Sequence, residues 1–141
     1  MAIRLSPYLV TNGNGQEAVK WYEEALSAKV ISLQTFGEMP GDPDHPVPEE
    51  AKDRVLHAAL QVGETVLMLS DTFPGNPHQV GNHVAIAVVV DDAAQAKTIF
   101  DKLAQGGNVE MPLQETFWSP AFGMVTDKFG VSFQISTERP G

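Results

Sequence analysis

The sequence predicts an α+β fold in which one βαβββ module occurs twice. The first observation is a repeated helix, because two segments share the apolar pattern i, i+3, i+4, i+7, i+8 with an offset of 78 residues at every position. The second is that a strand-like run precedes each helix, over residues 3–10 and 83–90. The third is that a similar strand ends each half, over residues 65–70 and 131–136. The repeated helix positions are Ala18, Trp21, Tyr22, Ala25 and Leu26, then Ala96, Ile99, Phe100, Leu103 and Ala104.

The same offsets relate individual strand positions. An offset of 78 carries Leu5 onto His83, and matching the two terminal strands carries Met68 onto Gln134 with an offset of 66. An insert at residues 38–53, present only in the first half, accounts for the difference. Two such modules can turn their sheets toward one another, and we expect a sheet-lined cleft that serves as a ligand site.

The elements of the first half follow in order. The glycine-rich turn at residues 12–15 leads into a helix at 16–28, which is followed by a strand at 29–37. Four prolines between residues 39 and 48 predict a loop, which we interpret as a candidate lid. Strands at 54–62 and 65–71 form the clearest hairpin, because the two-residue connection Gly63-Glu64 suits antiparallel strands.

The second half repeats this order after a linker at residues 72–82, which is rich in Pro and Gly. Asp91 or Asp92 can cap the second helix, which Gly106-Gly107 ends, and strands follow near 109–115, 121–127 and 131–136. We therefore treat residues 1–141 as one domain with internal modules 1–71 and 83–137. A chain of this length is about the size of one domain, so we expect the two modules to depend on each other for stability.

Composition narrows the class of protein. The 141 residues include 9 basic and 18 acidic side chains, a net charge of −9, which disfavours nucleic acid and anionic membranes as partners. There is no cysteine, so disulfides, thiolate metal sites and cysteine nucleophiles are excluded. No stretch approaches the roughly 20 apolar residues of a membrane span, and we expect a cytoplasmic protein.

Several motifs in this chain resemble one superfamily over nearly its whole length. The chain is similar to the vicinal oxygen chelate superfamily, which includes glyoxalase I, extradiol dioxygenases, and the fosfomycin and bleomycin resistance proteins, and in particular to its PhnB-like branch. The resemblance implies the glyoxalase/bleomycin resistance/dihydroxybiphenyl dioxygenase fold and a homodimer. The motifs are Pro7-Tyr8-Leu9, Asn12-Gly13, Glu17-Ala18, Trp21-Tyr22, His57-Ala58, the run at 67–71, and the signature stretches at 111–118 and 122–131.

Members of that branch are often labelled 3-demethylubiquinone-9 3-methyltransferase, and this label does not suit the sequence. A methyltransferase needs a nucleotide-type cofactor site, typically a glycine-rich turn between a parallel strand and a helix. The only glycine-rich turn before a helix, at residues 12–15, shows no parallel-sheet pattern around it.

The resemblance also implies where a metal ion would bind. In the superfamily's metalloenzymes, His, Glu or Gln on the first and last strands of each module hold one divalent ion. Here those positions are Leu5, Met68, His83 and Gln134. Leu5 cannot ligate and a thioether is too soft for magnesium, manganese or iron(II), so the site looks degraded. The sequence establishes no cofactor; one divalent ion at His83 and Gln134, with help from His57, is the open alternative.

A second kind of site lies in the signature stretch. Gln114, Phe117, Trp118 and Phe122 combine aromatic surfaces with a hydrogen-bonding amide, the usual chemistry of a small-molecule pocket, and Met68 can add apolar contact. A structural role for Trp118 and Phe122, in closing the fold or a dimer interface, is the alternative.

Three functions follow from these observations. The leading interpretation is a PhnB-like protein that binds a small organic molecule in the cleft. The first alternative is an enzyme in which a divalent ion at His83 and Gln134 polarises a substrate oxygen and His57 acts as the general base, in a lyase, isomerase or oxygenase-type reaction. The second alternative is a dimeric interaction module with a closed cleft. The sequence does not decide whether the protein is an enzyme.

Overall fold

A computed structural model describes residues 3–38, 47–73 and 76–138 of the chain. The contacts between Cα atoms divide the chain into two compact units, residues 1–79 and residues 80–141. Each unit contains one helix and one sheet of four strands, in the order strand, helix, strand, strand, strand. The predicted α+β fold of two βαβββ modules is therefore confirmed.

The first unit has a mixed sheet. Its strand order is β1-β4-β3-β2, in which β1 pairs with β4 in parallel and the other neighbours are antiparallel. The predicted hairpin is confirmed, since Val62 pairs with Thr65 across the Gly63-Glu64 turn. The elements are β1 (Tyr8–Thr11), α1 (Gly15–Ala25), β2 (Lys29–Thr35), β3 (Val55–Val62) and β4 (Thr65–Asp71), with short 3-10 turns at Phe36–Glu38 and Glu49–Ala51.

The second unit repeats the same topology. Its strand order is β5-β8-β7-β6, again with the first and last strands parallel and the other neighbours antiparallel. Asp92 caps the helix as predicted, because its Oδ1 accepts the backbone N–H of Gln95 at 2.7 Å. The elements are β5 (Ile86–Val90), α2 (Ala93–Ala104), β6 (Asn108–Gln114), β7 (Phe122–Thr126) and β8 (Ser132–Thr137).

The repeated helix pattern marks the core of each unit. Along α1 and α2 the first, third and fourth pattern positions are buried in both copies, and the second is half-buried in both. The buried strand positions alternate with open ones, so each sheet has one face covered by its helix and one open face. The buried helix residues are Ala18, Tyr22 and Ala25 in α1, and Ala96, Phe100 and Leu103 in α2.

Two strands begin later than the sequence predicts. The strand predicted from residue 3 starts at Tyr8, because Pro7 has no N–H and only its carbonyl joins the ladder, accepting the N–H of Met68. The strand predicted from His83 starts at Ile86. Its partner β8 begins at Ser132, so residues 83–85 lie beyond the paired segment.

The first helix is shorter than predicted. The sequence predicts it to residue 28, whereas α1 ends at Ala25. Ser27 has a φ of 52°, the left-handed conformation that commonly terminates a helix. The strand that follows likewise ends at Thr35, two residues early, where the chain turns into a 3-10 helix.

The strand offset between the two halves is 79, not 78. Leu9 pairs with Leu69 in the first unit and Val88 pairs with Ile135 in the second, so these four residues occupy equivalent positions. The turn between β1 and α1 is one residue longer than the turn between β5 and α2, which restores the offset of 78 in the helices. Leu5 therefore corresponds to Val84, and not to His83.

The insert is described only at its ends. The candidate lid falls largely on residues 39–46, which lie outside the described residues. Among the described residues, no helix is long and apolar enough to cross a membrane.

Candidate functional site

The open face of the second sheet carries most of the predicted ligand residues. Phe122 lies directly across from Ser136, and Met124 lies across from Gln134, in the antiparallel β7–β8 pair. Directly opposite residues project from the same face, and these four side chains are half-buried. Their neighbours along both strands are buried on the side of α2: Gly123, Val125, Phe133 and Ile135. Gln134 therefore lies on the face away from the helix.

Three aromatic rings meet at the end of this face. The Trp118 ring lies 5.3 Å from the Phe122 ring, edge to face, and the Phe117 ring lies 4.7 Å from Trp118 in the same arrangement. Phe117 is 88% exposed and Trp118 is 50% exposed. Edge-to-face pairs of this kind are worth about 0.5–1.5 kcal/mol each beyond burial. We call Phe117, Trp118 and Phe122 the aromatic cluster.

A tightly bonded turn presents the aromatic cluster. The backbone N–H of Thr116 donates to the Ser119 carbonyl at 2.9 Å, and the Ser119 N–H donates to the Thr116 hydroxyl at 3.1 Å. The Ser119 hydroxyl oxygen is buried and accepts the N–H groups of Ala121 and Thr137. The turn is thereby fixed to the end of β8, so the exposed rings of Phe117 and Trp118 sit on a rigid support.

Gln114 completes this group. It pairs with Phe122 across the β6–β7 ladder and its side chain is exposed. The ladder is irregular between Met111 and Gln114, where Pro112 cannot donate a hydrogen bond. The structure therefore brings Gln114, Phe117, Trp118 and Phe122 together at one end of one sheet. Met68, the fifth predicted ligand residue, belongs to the other unit.

The open face of the first sheet carries Met68 and His57. Met68 lies between Ala59 on β3 and Tyr8 on β1. His57 is half-buried on the same face as Ala59, two residues away along β3. The register of β3 with β4 places His57, Ala59 and Gln61 on the same open face as Val66, Met68 and Ser70.

Two polar residues on this face were not singled out from the sequence. The Tyr8 hydroxyl donates to Ser70 Oγ at 3.0 Å, and the Tyr8 ring lies 6.0 Å from the His57 ring, tilted by 52°. The predicted strand offset of 78 aligns Tyr8 with Ile86, whereas the observed offset of 79 aligns it with Ala87. The unbroken apolar run Tyr8-Leu9-Val10 gives no alternation that could have corrected the alignment.

The residues present do not fit a resident metal ion. Leu5 is 90% exposed outside β1, and His83 is exposed three residues before β5. Leu5 offers no donor and the Met68 thioether is a poor one for hard cations. Within the described segments, no three His, Asp or Glu side chains lie close enough together to hold an ion. The metal-binding role of His83 and Gln134 stays a prediction.

The glycine-rich turn before α1 is filled by the protein's own carboxylate. Contrary to the sequence interpretation, this turn follows a parallel strand, since β1 pairs in parallel with β4. Asp71 Oδ1 accepts the N–H groups of Gly13 and Gly15 at 2.8 and 2.9 Å, together with the Thr11 hydroxyl at 2.7 Å. Its Oδ2 accepts the Val55 N–H at 2.7 Å. The N–H groups that would hold a cofactor phosphate are thus already bonded.

A polar cavity of about 570 Å³ lies beside this turn. Its walls include the carboxylate residues Glu17 and Asp53 and none of the predicted site residues. The Gln16 side chain spans part of it, donating to the Asp53 carbonyl at 2.6 Å. Acidic walls and a self-bonded turn make this cavity a weaker ligand candidate than the open sheet faces.

The fold and the motifs define a family, and comparison with known proteins identifies it. The chain belongs to the Glyoxalase/Bleomycin resistance protein/Dioxygenase superfamily, whose model matches residues 4–135. It is 35% identical to Protein YjdN of Escherichia coli strain K12 over 140 residues, which covers 94% of this chain and 93% of that protein.

Two solved structures extend the comparison. Protein PA1353 from Pseudomonas aeruginosa is 38% identical, with a TM-score of 0.87 over 99% of this chain and 100% of that one. A Bacillus cereus PhnB protein, described as a putative 3-demethylubiquinone-9 3-methyltransferase, is 25% identical, with a TM-score of 0.78 over 96% of this chain and 99% of that one. The PhnB-like character inferred from the signature stretches agrees with these relatives.

Proposed function

We propose that this chain binds a small organic molecule against the aromatic cluster on the open face of its second sheet. The observation that carries the proposal is the Trp118 ring, which is half-exposed, packs edge to face on Phe122, and stands on a turn fixed by buried hydrogen bonds. A rigid aromatic surface binds at a low entropic cost, because its side chains are already ordered.

The polar groups around the cluster set the chemistry of the ligand. Gln114, across the ladder from Phe122, offers an amide that both donates and accepts hydrogen bonds. Ser136 and Gln134 add similar groups farther along the same face. The chain carries a net charge of −9, so the surrounding potential favours a neutral or cationic molecule over a strongly anionic one. A flat, largely apolar molecule with a few hydrogen-bonding groups fits these properties.

Binding without a resident metal has more support than metal-dependent catalysis. The family description names both bleomycin resistance proteins and dioxygenases, so the family alone does not choose between them. Two of the four expected ligand positions, Leu5 and Met68, provide no suitable donor.

Fluorescence of Trp118 tests this proposal. In a Trp21→Phe variant, Trp118 is the only tryptophan. The first probe is quinoline, and a set of neutral planar aromatic fragments follows it. We expect each ligand that binds to quench Trp118 fluorescence in a saturable way, and the double variant Phe117→Ala/Gln114→Ala to bind it at least about tenfold more weakly. Val109→Ala removes an exposed apolar side chain from the same unit and is the control. If no probe gives saturable quenching, or the double variant binds as well as its parent, the proposal is wrong.

A dimeric interaction module is the second candidate. Phe117, at 88% exposure, is the observation that favours it, since a large apolar side chain presented to solvent on a rigid turn suits a protein interface. Sedimentation velocity of the full chain and of Phe117→Ser distinguishes the two readings. A dimer that the substitution converts to monomers supports the module, whereas a monomeric parent chain rules it out.

A further inference from the structure

The glycine-rich turn before α1 contains two asparagine–glycine pairs in succession. Asn12 precedes Gly13 and Asn14 precedes Gly15, and both asparagines are exposed to solvent. Asparagine is a thermolabile residue, and a following glycine, which has no Cβ, leaves the asparagine side-chain amide open to attack by the next backbone nitrogen. Every other asparagine in the chain precedes Pro, His or Val. The two pairs are therefore the candidate sites of spontaneous deamidation.

Deamidation of such a pair is a ring closure followed by hydrolysis. The glycine backbone nitrogen gives up its proton and forms a bond to the asparagine Cγ. The bond from Cγ to Nδ2 breaks, and the side-chain nitrogen leaves as ammonia with that proton. Water then opens the resulting succinimide at one of its two carbonyl carbons, which gives either aspartate or isoaspartate, whose main chain passes through Cβ and Cγ. The net reaction consumes one water and releases one ammonia, with no oxidation or reduction.

The folded turn holds both attacking nitrogens away from this reaction. The N–H groups of Gly13 and Gly15 donate to the same oxygen, Asp71 Oδ1, at 2.8 and 2.9 Å. Asp71 is buried, so loss of a glycine proton would place a second negative charge beside a poorly solvated carboxylate. Ring closure also requires the nitrogen to approach Cγ in a defined geometry, which breaks its bond to Asp71. Each nitrogen is therefore protected while that bond is intact.

The two pairs are held to different degrees. The Asn14 ψ of 27° places the Gly15 nitrogen on the opposite side of the Cα–C bond from Cβ. The Asn14 carbonyl accepts the Ala18 N–H at 3.0 Å, which resists rotation of this peptide, and Asn14 Oδ1 accepts the Asn12 N–H at 3.2 Å. The Asn12 side chain, in contrast, has no hydrogen-bond partner within the described ranges of the chain. Asn12 is therefore the more reactive of the two.

We propose that Asn12–Gly13 is a spontaneous deamidation site whose rate is limited by the Asp71 carboxylate, and that Asn14–Gly15 reacts after it. Isoaspartate at residue 12 lengthens the main chain and displaces the Gly13 N–H from Asp71, which loosens the start of α1 and releases the second pair. This modification goes beyond the ligand binding proposed above, because it involves no residue of the aromatic cluster.

Peptide mapping of the intact chain, aged at mildly alkaline pH, tests the proposal by mass spectrometry. Trypsin releases residues 5–20 as one peptide, in which fragmentation distinguishes Asn12 from Asn14, and an isoaspartyl methyltransferase labels the isoaspartate. We expect Asn12 to react at least about tenfold more slowly in the folded chain than in the chain unfolded in urea, and Asn14 more slowly still. Asn82, already exposed outside the helices and strands, is the internal control and should react at similar rates in both states.

Two variants test the role of Asp71 and the order of reaction. Asp71→Asn should accelerate deamidation of Asn12 roughly 2- to 12-fold, whereas Asp101→Asn, at an exposed ion pair, should not. Asn12→Ser should keep Asn14 intact for as long as the parent chain reacts at both positions. Circular dichroism verifies that each variant is folded, and the urea comparison stands without any variant.

Four outcomes would overturn the proposal. Equal rates at Asn12 in the folded and the urea-unfolded chain would show that the turn gives no protection. An unchanged rate in a folded Asp71→Asn variant would remove the role of the carboxylate, and a slower rate would make Asp71 a general base for the reaction. Deamidation of Asn14 before Asn12 would contradict the order.

Discussion

The carboxylate of Asp71, at the end of β4, accepts the backbone N–H of Gly15 at 2.9 Å across a sequence separation of 56 residues. The same carboxylate accepts three further hydrogen bonds, from Thr11, Gly13 and Val55, and the residue is only 4% exposed. Asp71 thus joins the last strand of the first unit to the start of its helix and to the first residue of β3.

Replacing this carboxylate by an amide should destabilise the protein. In Asp71→Asn one acceptor oxygen becomes an NH₂ group that faces a backbone N–H, so a buried donor is left unpaired. We expect the free energy of unfolding to fall by about 1–3 kcal/mol, measured by urea denaturation. Asp101→Asn is the matched control, because Asp101 forms an exposed ion pair with Lys97 that is worth about 0–1 kcal/mol. Equal effects of the two substitutions would contradict the anchoring role of Asp71.

The close approach of Gly15 to Asp71 gives a second prediction. A Cβ atom at residue 15 would lie 2.7 Å from Asp71 Oδ2 and 2.9 Å from Val55 Cγ2. Gly15→Ala should therefore lower the free energy of unfolding by about 1–3 kcal/mol, even though alanine favours a helix. Gly81→Ala, whose Cβ would meet only His83 at 3.6 Å, should be close to neutral. A Gly15→Ala variant as stable as its parent in thermal melting would show that the turn can move aside.

Ser119→Ala should loosen the support of the aromatic cluster. The buried hydroxyl oxygen accepts the N–H groups of Ala121 and Thr137, and its single proton lies within hydrogen-bond reach of both of their carbonyls. Its removal should cost about 1–3 kcal/mol of stability and lower the fluorescence anisotropy of Trp118 in the Trp21→Phe background. Ser132→Ala, half-buried on the open face, provides the comparison. Unchanged anisotropy would mean that the turn is held by other contacts.

The burial pattern of α2 predicts unequal costs of truncation at two of its apolar positions. Leu103 is fully buried, whereas Ile99 is half-buried. Leu103→Ala should leave a cavity and cost about 2–5 kcal/mol, whereas Ile99→Ala, at a half-buried position of the same helix, should cost less. Chemical denaturation of both variants measures the difference. Similar costs would contradict the packing of Leu103 against the sheet.

The sequence predicted the fold well because its strongest signals are periodic and local. The helical spacing shared by α1 and α2 identified the buried residues, and the Gly63-Glu64 turn identified the β3–β4 hairpin. Strand starts were less predictable, because residues 3–7 have a strand-like sequence although Pro7 cannot donate to the ladder, and residues 83–85 have one although the β5–β8 pairing begins at Ile86.

Those site residues that belong to one short segment of the sequence could be grouped without a structure. Gln114, Phe117, Trp118 and Phe122 lie within nine residues of one another and meet on one sheet end. Tyr8, His57 and Met68 share one face of the first sheet only through the registers of three strands. A single extra residue in the turn before α1 moves the alignment of Tyr8 with the second half from Ile86 to Ala87, and no local pattern reveals that insertion.

The carboxylates that bind the N-terminal N–H groups of the two helices lie at different sequence separations from them. In α2 the capping carboxylate of Asp92 is three residues from Gln95, whereas α1 depends on Asp71, 56 residues from Gly15. Closing a long loop has an entropic cost that a local cap avoids. During folding, the cap of α2 can therefore form within its own first turn. The corresponding contact of α1 forms only after β3 and β4 have brought Asp71 to Gly15. The duplicated architecture should thus fold asymmetrically, with its second half leading.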